Sequence, residues 1–217
     1  MASRFKFWLA VILAIGFLFF CDAYLGEYSL GIVNNIAIFI TLAISYNLIN
    51  GVTGQFSLEP NGFVAVGAYV AAILLLNADS KLYQFDAAEP SNIILAIYTS
   101  NFILAMFISG VCATLLALLL AMPVFRVRGD YLAIVTLGFG FIIQLLAVNF
   151  PAFTNGSIGL NEVMRVDSNG DLSRFTNIFY SGGLAIFATI VILNLVYSKF
   201  GRAMKAVRDD EDAAIAM

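Results

Sequence analysis

The apolar run Asn101-Phe-Ile-Leu-Ala-Met-Phe-Ile-Ser-Gly-Val-Cys-Ala-Thr-Leu-Leu-Ala-Leu-Leu-Leu-Ala-Met122 decides the fold class of this chain. It carries no charged side chain, and as a helix it would be about as long as the hydrocarbon core of a bilayer is thick, roughly 30 Å. A helix also pairs its backbone N–H and C=O groups internally, which lipid requires. The run therefore predicts a membrane-spanning helix.

The composition of the whole chain agrees with that prediction. Of its 217 residues, 61% are hydrophobic and only 12% are charged, which is too few to cover a water-soluble domain of this size. We therefore expect most of the exterior to face hydrocarbon. The formal net charge of −3 and the lack of a long basic stretch argue against a nucleic-acid partner, and the absence of histidine excludes a histidine-based zinc site. We interpret Cys21 and Cys112, which lie in or beside apolar runs, as packing thiols.

Other apolar runs of similar length recur along the chain. Together they predict an all-α integral membrane protein, a polytopic helical bundle of about six spans. The predicted spans are Phe7–Cys21, Leu30–Ile49, Gly62–Leu76, Asn101–Met122, Tyr131–Val148 and Ile178–Tyr197. The first and third are short for a span of ~20 residues, so we expect them to extend into flanking residues or to belong to a broken segment.

Basic residues near the span ends predict the orientation, because lysine and arginine are retained on the cytoplasmic side. They lie before the first span, between the fourth and fifth, and after the sixth: Arg4, Lys6, Arg126, Arg128, Lys199, Arg202, Lys205 and Arg208. This pattern predicts a cytoplasmic N-terminus. The connections on the opposite side, including residues 149–177, are predicted to be external.

The connection between the second and third spans does not read as an ordinary loop. It runs Gly51-Val-Thr-Gly-Gln-Phe-Ser-Leu-Glu-Pro-Asn-Gly62. Glycines, a proline and polar residues between two apolar runs indicate a broken or re-entrant segment near residues 50–62, whose backbone polar groups need partners in protein or water. A plain turn that ends at the proline is the alternative.

Three stretches carry a resemblance to a known family. They are Tyr46–Leu58 with its continuation through Gly67-Ala-Tyr69, then Arg126-Val-Arg-Gly-Asp-Tyr-Leu-Ala-Ile-Val-Thr-Leu-Gly-Phe-Gly140, and finally Gly201–Met217. In this order they resemble the branched-chain amino acid ABC transporter permease family, in particular the subunit type with an Arg-Gly-Asp-Tyr segment. The resemblance implies a single importer permease domain over residues 1–217, which we expect to be truncated at its C-terminus.

The last of these stretches also has a physical interpretation of its own. Basic residues up to Arg208 follow a span, and the acidic residues from Asp209 to Asp212 precede a short apolar segment that can form a helix. A basic anchor followed by a solvated tail is the alternative. The resemblance implies that residues 201–217 form a cytoplasmic coupling segment that contacts an ATPase. The predicted coupling residues are Gly201, Arg202, Lys205, Arg208, Asp209, Glu211, Ala213 and Ala214.

Polar side chains at membrane depth are the candidates for a substrate pathway. An amino acid needs polar partners for its ammonium and carboxylate and an apolar pocket for an aliphatic side chain. The predicted pathway residues are Gln55, Ser57, Asn61, Tyr69, Thr136 and Gln144, and a helix that restarts near Gly62 could direct its positive end toward a carboxylate. A hydrogen bond between helices is the alternative role for each. We interpret Gly67, Gly138 and Gly140 as sites of close helix packing.

Catalysis by this chain is not expected. The phosphate-binding pattern Gly-x-x-x-x-Gly-Lys-Ser/Thr is absent from the sequence, and no predicted span holds a pair of ionisable residues for acid–base or metal chemistry. We expect no cofactor and no metal on this chain, with ATP and Mg bound by a partner ATPase. The resemblance implies a homologous second permease subunit, two cytoplasmic ATPase subunits and a periplasmic substrate-binding protein, all at the inner membrane of a bacterium.

The sequence departs from the family pattern in two places, and the departures bear on the cargo. Leu58-Glu-Pro-Asn61 stands where a glycine and a histidine or glutamine are expected, and Phe141 stands where a polar residue is common. Import of branched-chain amino acids is the first hypothesis, and urea, short amides or other amino acids are the alternatives within the family. A passive channel or a structural membrane subunit, neither of which needs an ATPase, is the alternative from another class.

Overall fold

The computed structural model describes residues 2–58, 60–85, 89–124, 127, 131–160, 163–166, 172–174 and 176–210. Their structure is predominantly helical. The helices are α1 (Ala2–Tyr24), α2 (Glu27–Asn47), α3 (Pro60–Leu75), α4 (Ala78–Gln84), α5 (Asn92–Ala96), α6 (Phe102–Val124), α7 (Tyr131–Asn149), α8 (Pro151–Thr154), α9 (Ile178–Val196) and α10 (Lys199–Asp209). A π-helical turn, Leu48–Val52, continues α2, and two strands, β1 (Met164–Val166) and β2 (Leu172–Arg174), lie between α8 and α9.

The predicted membrane-protein fold is confirmed. Within the described residues, five helices (α1, α2 with its π turn, α6, α7 and α9) are long and apolar enough to cross a membrane. The third predicted span corresponds to α3, an apolar helix that is shorter than the other five. Large apolar side chains stay exposed along the spans, as with Phe107 (70% exposed) and Leu119 (64% exposed) on α6. Such a surface is suited to hydrocarbon.

The chain divides into two compact units, residues 1–55 with 176–217 and residues 56–175. In the first unit, α9 packs against both α1 and α2. Gly182 on α9 is buried against Leu18 on α1, and a Cβ there would overlap the leucine side chain. The hydroxyl of Ser181 donates a 2.6 Å hydrogen bond to Oδ1 of Asn34 on α2. A small-residue contact and a polar contact thus join the three spans, as is common between helices in lipid.

In the second unit, α3 packs along α6 and also contacts α7. Leu74 and Leu75 of α3 are buried against Ala105 of α6, which is fully buried. The backbone N–H of Thr99, just before α6, donates a 2.7 Å hydrogen bond to the carbonyl of Leu74. The end of α3 is therefore fixed to the start of α6, and this packing positions α3 beside α7.

The connections predicted to be external contain structure that hydropathy does not reveal. The strands β1 and β2 pair in antiparallel fashion, with Arg165 opposite Ser173, so a short hairpin is added to an otherwise helical fold.

Before α6, the short helices α4 and α5 are joined by Lys81, whose side chain is fully buried. Its ammonium donates hydrogen bonds of 2.7 Å to the carbonyl of Ile94 and 2.5 Å to that of Ile97. The two carbonyls lie at the C-terminal end of α5, where a cation is favourable.

The predicted broken segment is present. Regular helix ends with the π turn, and no helix or strand forms over residues 53–58 before α3 begins at Pro60. Gly54 has a φ of +70°, a conformation that glycine adopts without strain. Gly54 therefore turns the chain, and Pro60 occupies the first position of α3, where proline is favourable.

Candidate functional site

A cleft of about 420 Å³ lies in the second unit between α3 and α7. Its volume falls within the roughly 300–1,000 Å³ of small-molecule sites. The lining residues are Leu58, Asn61, Gly62, Ala65, Tyr69, Leu137, Gly140, Phe141, Ile143, Gln144, Ala147, Val148, Gly156 and Ser157. On α3 they recur every four residues and on α7 every three or four, so each helix turns one continuous face toward the cleft.

Gly62 determines how closely the two walls approach. It is buried, and a Cβ at this position would lie 2.7 Å from Cδ1 of Ile143 and 3.8 Å from Cα of Gly140. A larger residue at this crossing of α3 and α7 would therefore have to displace the end of the Ile143 side chain. The packing role predicted for Gly67 and Gly138 is wrong within this chain, because nothing lies within 4 Å of a Cβ at either position. A glycine contact on α3 was predicted, but at Gly67, whereas the close contact is made by Gly62.

Three of the predicted pathway residues, Asn61, Tyr69 and Gln144, line the cleft together. Asn61 lies in the first turn of α3, Tyr69 two turns further along the same face, and Gln144 on α7. Apolar side chains surround them. No carboxylate, ammonium or guanidinium of the described residues lines this cleft. It can offer amide and hydroxyl partners and an apolar surface to a small molecule, which suits binding and release without proton transfer.

Thr136 has a different position from the one expected of a pathway residue. Its side chain is 2% exposed, and its hydroxyl donates a 3.1 Å hydrogen bond to the carbonyl of Ala133 on its own helix. The same hydroxyl accepts a 3.0 Å hydrogen bond from the backbone N–H of Leu58. Thr136 thus holds the end of the broken segment against α7. Ser57, which directly precedes Leu58 in the sequence, is half-buried. Gln55 is exposed and belongs to the first unit.

The turn after α8 contributes residues to the cleft that were not among the predicted pathway residues. Gly156 and Ser157 line the cleft, and Asn155 before them is 1% exposed with a φ of +61°. Its side-chain amide donates hydrogen bonds of 2.9 Å to the carbonyl of Gly159 and 2.8 Å to that of Gln84. Asparagine followed by glycine is typical of a left-handed turn, and this was the available signal. Asn155 therefore shapes the turn at the edge of the cleft.

The predicted coupling segment begins as the helix α10, in the first unit. Its N-cap is Ser198, whose hydroxyl accepts a 3.3 Å hydrogen bond from the N–H of Gly201 and donates a 2.6 Å bond to the carbonyl of Leu195. Gly201 is buried, and a Cβ there would overlap the carbonyls that end α9. Glycine is therefore required for the tight corner between α9 and α10.

The charged residues of α10 occupy distinct positions. Arg202 is exposed, and the ammonium of Lys205 lies 5.8 Å from the ring centroid of Tyr197. Arg208 forms a 2.8 Å ion pair with Asp209, both partly exposed, and donates a 3.3 Å hydrogen bond to the carbonyl of Gly51. Glu211, Ala213 and Ala214 lie outside the described residues, so their predicted coupling role stays a prediction.

Comparisons with known proteins show which family contains the cleft and the helix α10. A family model described as branched-chain amino acid transport system / permease component matches residues 28–217. The high-affinity branched-chain amino acid transport system permease protein LivM of Escherichia coli (strain K12) is 31% identical over 201 residues, and that of Salmonella typhimurium (strain LT2) is 30% identical over 201 residues. Each alignment covers 81% of this chain and 43% of the relative, so the chain spans less than half of the length of these relatives. No solved structure matches the chain.

The match extends from the start of α2 through α10 and includes the broken segment and the cleft. Bilayer-length apolar helices show a multi-pass membrane protein, as the family requires. The chain therefore belongs to the permease component family of branched-chain amino acid transport systems.

Proposed function

We propose that this chain is the membrane-spanning subunit of an ATP-driven importer and that its cargo is a branched-chain amino acid. The observation that carries the proposal is the cleft between α3 and α7, in which amide and hydroxyl groups stand beside aliphatic and aromatic side chains. An amino acid with a branched aliphatic side chain needs both kinds of surface. Family membership supports a transport role for the same residues.

Each part of the substrate has a suitable partner in the cleft. Asn61 and Gly62 lie in the first turn of α3, where backbone N–H groups have no partner within the helix and the helix dipole favours an anion. This end of α3 is assigned to the carboxylate. The side-chain carbonyl of Gln144 and the hydroxyl of Tyr69 are acceptors for the ammonium. Leu137, Phe141 and Val148 supply the apolar surface for the side chain.

Phe141 favours this cargo over urea. Its aromatic ring lines the cleft. An apolar ring at this position removes a possible polar partner for an amide cargo and adds surface for an aliphatic one. Competition between leucine and urea for uptake tests the assignment. Inhibition by leucine, isoleucine and valine supports it, and inhibition by urea alone would overturn it.

ATP-driven import requires further subunits. A homologous second permease, two cytoplasmic ATPases that bind ATP and Mg, and a periplasmic substrate-binding protein complete the proposed assembly in the inner membrane of a bacterium. This chain binds no cofactor itself in the proposal. Residues 201–217, which begin within α10, are the contact for the ATPase, because this part of α10 carries basic and acidic side chains on an exposed surface shortly after a span.

Co-purification tests the ATPase partnership. The tagged full-length gene product is extracted in mild detergent, and bound proteins are identified by mass spectrometry for the intact chain and for a variant without residues 201–217. A matched variant without residues 164–174, in the β1–β2 hairpin, controls for the effect of a deletion. We expect an ATPase with the intact chain and the hairpin variant only. No ATPase in any sample would favour a passive channel or a structural subunit.

A further inference from the structure

A single arginine on α10 contacts the end of the second span. The guanidinium of Arg208, near the end of α10, donates its 3.3 Å hydrogen bond to the carbonyl of Gly51 in the π turn that closes α2. The two residues are 157 positions apart in the sequence. Both residues belong to the first unit, in which the helix α10 packs against the π turn.

Three carbonyls of the π turn, those of Leu48, Ile49 and Gly51, accept hydrogen bonds from different donors. The N–H of Thr53 donates a 3.2 Å bond to the carbonyl of Leu48, and the hydroxyl of Thr53 donates a 2.5 Å bond to that of Ile49. The carbonyl of Gly51 takes its bond from Arg208. A cation at the C-terminal end of a helix also interacts favourably with the helix dipole. Arg208 therefore caps α2 from another helix, which local sequence alone could not do.

Packing at Gly54 adds a second contact between the same two segments. Gly54 adopts a φ of +70°, and a Cβ on it would overlap Cγ of Arg208 and lie 3.2 Å from Cβ and Cδ of that residue. The aliphatic part of the arginine thus lies against the turn while its guanidinium bonds the carbonyl three residues earlier. Glycine at position 54 is needed for both its backbone conformation and the space occupied by the arginine.

The other end of α10 is fixed as well. Ser198 and Gly201 form a corner in which α10 lies directly on the last carbonyls of α9. The helix α10 is therefore held to the end of α9 at one side and to the end of α2 at the other. The residues that follow the π turn are the broken segment, which continues along the chain to Leu58 and Asn61.

We infer that Arg208 is a positioning residue for energy coupling, through which movement of α10 reaches the broken segment at Gly51–Gln55. The inference rests on the proposed ATP-driven import, and it assigns to one side chain the step between the ATPase contact and the substrate pathway. Arg208 itself touches no substrate. Its guanidinium and its aliphatic stem act at Gly51 and Gly54 respectively.

Three variants separate this role from a general effect of charge. Arg208→Met keeps an aliphatic stem over Gly54 and removes the hydrogen bond to Gly51, whereas Arg208→Lys keeps a cationic donor. Lys199→Met removes one positive charge from the exposed start of the same helix and serves as the matched control. The assembled transporter is reconstituted in vesicles, and substrate uptake is measured per ATP hydrolysed. Amide hydrogen exchange of residues 51–56 is measured on the same preparations in detergent.

We expect uptake per ATP hydrolysed to fall by roughly fivefold or more in Arg208→Met, since a charge-assisted hydrogen bond is lost. Exchange at residues 51–56 rises in this variant and not in Lys199→Met, and Arg208→Lys recovers part of the uptake. Unchanged uptake per ATP in Arg208→Met would overturn the inference, even if exchange rises. A wild-type protein without ATP-driven uptake would instead refute the proposed function on which the inference rests.

Discussion

The hydroxyl of Thr136 accepts a 3.0 Å hydrogen bond from the backbone N–H of Leu58, so α7 holds the last residues of the broken segment before α3 begins. The two residues are 78 positions apart, and Thr136 is almost completely buried. This bond gives the non-helical backbone the partner that lipid could not supply.

Replacement of Thr136 by valine tests the importance of this bond. Valine has a similar shape and lacks the hydroxyl, so the N–H of Leu58 loses its acceptor, and we expect the free energy of unfolding to fall by about 1–3 kcal/mol. Thermal unfolding in detergent measures the change, and amide hydrogen exchange at Leu58 should accelerate. In Thr114→Val, which removes only a bond to the carbonyl of the same helix, the change should be much smaller. Equal effects of the two substitutions would contradict a special role for Thr136.

Substitution of Gly62 tests the close contact between α3 and α7. Alanine at this position brings a Cβ to 2.7 Å from Cδ1 of Ile143, and we expect a loss of about 1–3 kcal/mol of stability from overpacking. Gly67→Ala on the same helix meets open space, so its helix propensity should make it neutral or stabilising by roughly 0.5–1 kcal/mol. Chemical denaturation of both variants measures the difference. A destabilised Gly67→Ala and a neutral Gly62→Ala would place the helix contact elsewhere.

Two substitutions at Asn155 distinguish its backbone conformation from its hydrogen bonds. Asn155→Gly keeps the positive φ and loses the bonds to Gly159 and Gln84, whereas Asn155→Ala loses the bonds and is strained as well. We expect both to increase amide exchange in residues 155–159, with the alanine variant less stable than the glycine variant by about 1 kcal/mol. If wild-type exchange persists in both, the side-chain amide does not order the turn.

Lys81 predicts a pH dependence for the structure formed by α4 and α5. Burial lowers the pKa of its ammonium, whereas the unfolded segment keeps the proton up to a pH of about 10.4. Between the lowered pKa and that value, the unfolded state binds more protons, so stability should rise as the pH rises. Amide exchange of residues 78–97 at pH 7 to 10, corrected for its intrinsic pH dependence, measures this. The pH dependence of stability should be absent in Lys81→Met and should remain in the control Lys199→Met, because Lys199 is exposed. A pH dependence that survives in Lys81→Met would belong to another group.

The cleft predicts which polar substitutions weaken uptake. Gln144→Leu removes an acceptor assigned to the substrate ammonium, and Asn61→Ala removes a side-chain amide beside the helix end that is assigned to its carboxylate. Each should raise the KM for uptake by about tenfold, which corresponds to one hydrogen bond to a charged group. Asn92→Ala, on the exposed surface of α5, is the control. Uptake kinetics in vesicles give the comparison. Wild-type KM values for both cleft variants would remove α3 and α7 from the substrate pathway.

The sequence predicted the spans because hydropathy depends only on local composition. The predicted Asn101–Met122 became Phe102–Val124, and Tyr131–Val148 became Tyr131–Asn149. Glycine and proline in the segment between α2 and α3 also act locally, and they predicted its break. The hairpin between α8 and α9 was not predicted, because its strands of three residues are too short to show alternation.

Contacts between distant segments were the part that the sequence could not supply. The spans are apolar on all sides, so no stripe of residues indicated which face of α3 meets α7, and the packing role was assigned to Gly67 instead of Gly62. Thr136 was predicted to be a pathway residue because a hydroxyl in a span can either contact a substrate or form a structural hydrogen bond. Its bond to Leu58, like that of Arg208 to Gly51, depends on tertiary packing. Asn61, Tyr69 and Gln144 were predicted because polar groups are rare at membrane depth.

ATP-dependent uptake of leucine distinguishes an importer from a passive channel. The full-length gene product is reconstituted in vesicles with its partner permease, ATPase and binding protein, and labelled leucine is supplied with Mg and ATP or with a non-hydrolysable analogue. We expect accumulation against a gradient with ATP only, reduced by unlabelled isoleucine and valine and unaffected by urea. Leucine entry that is equal with ATP and with the analogue, and that stops at equilibration, would contradict it.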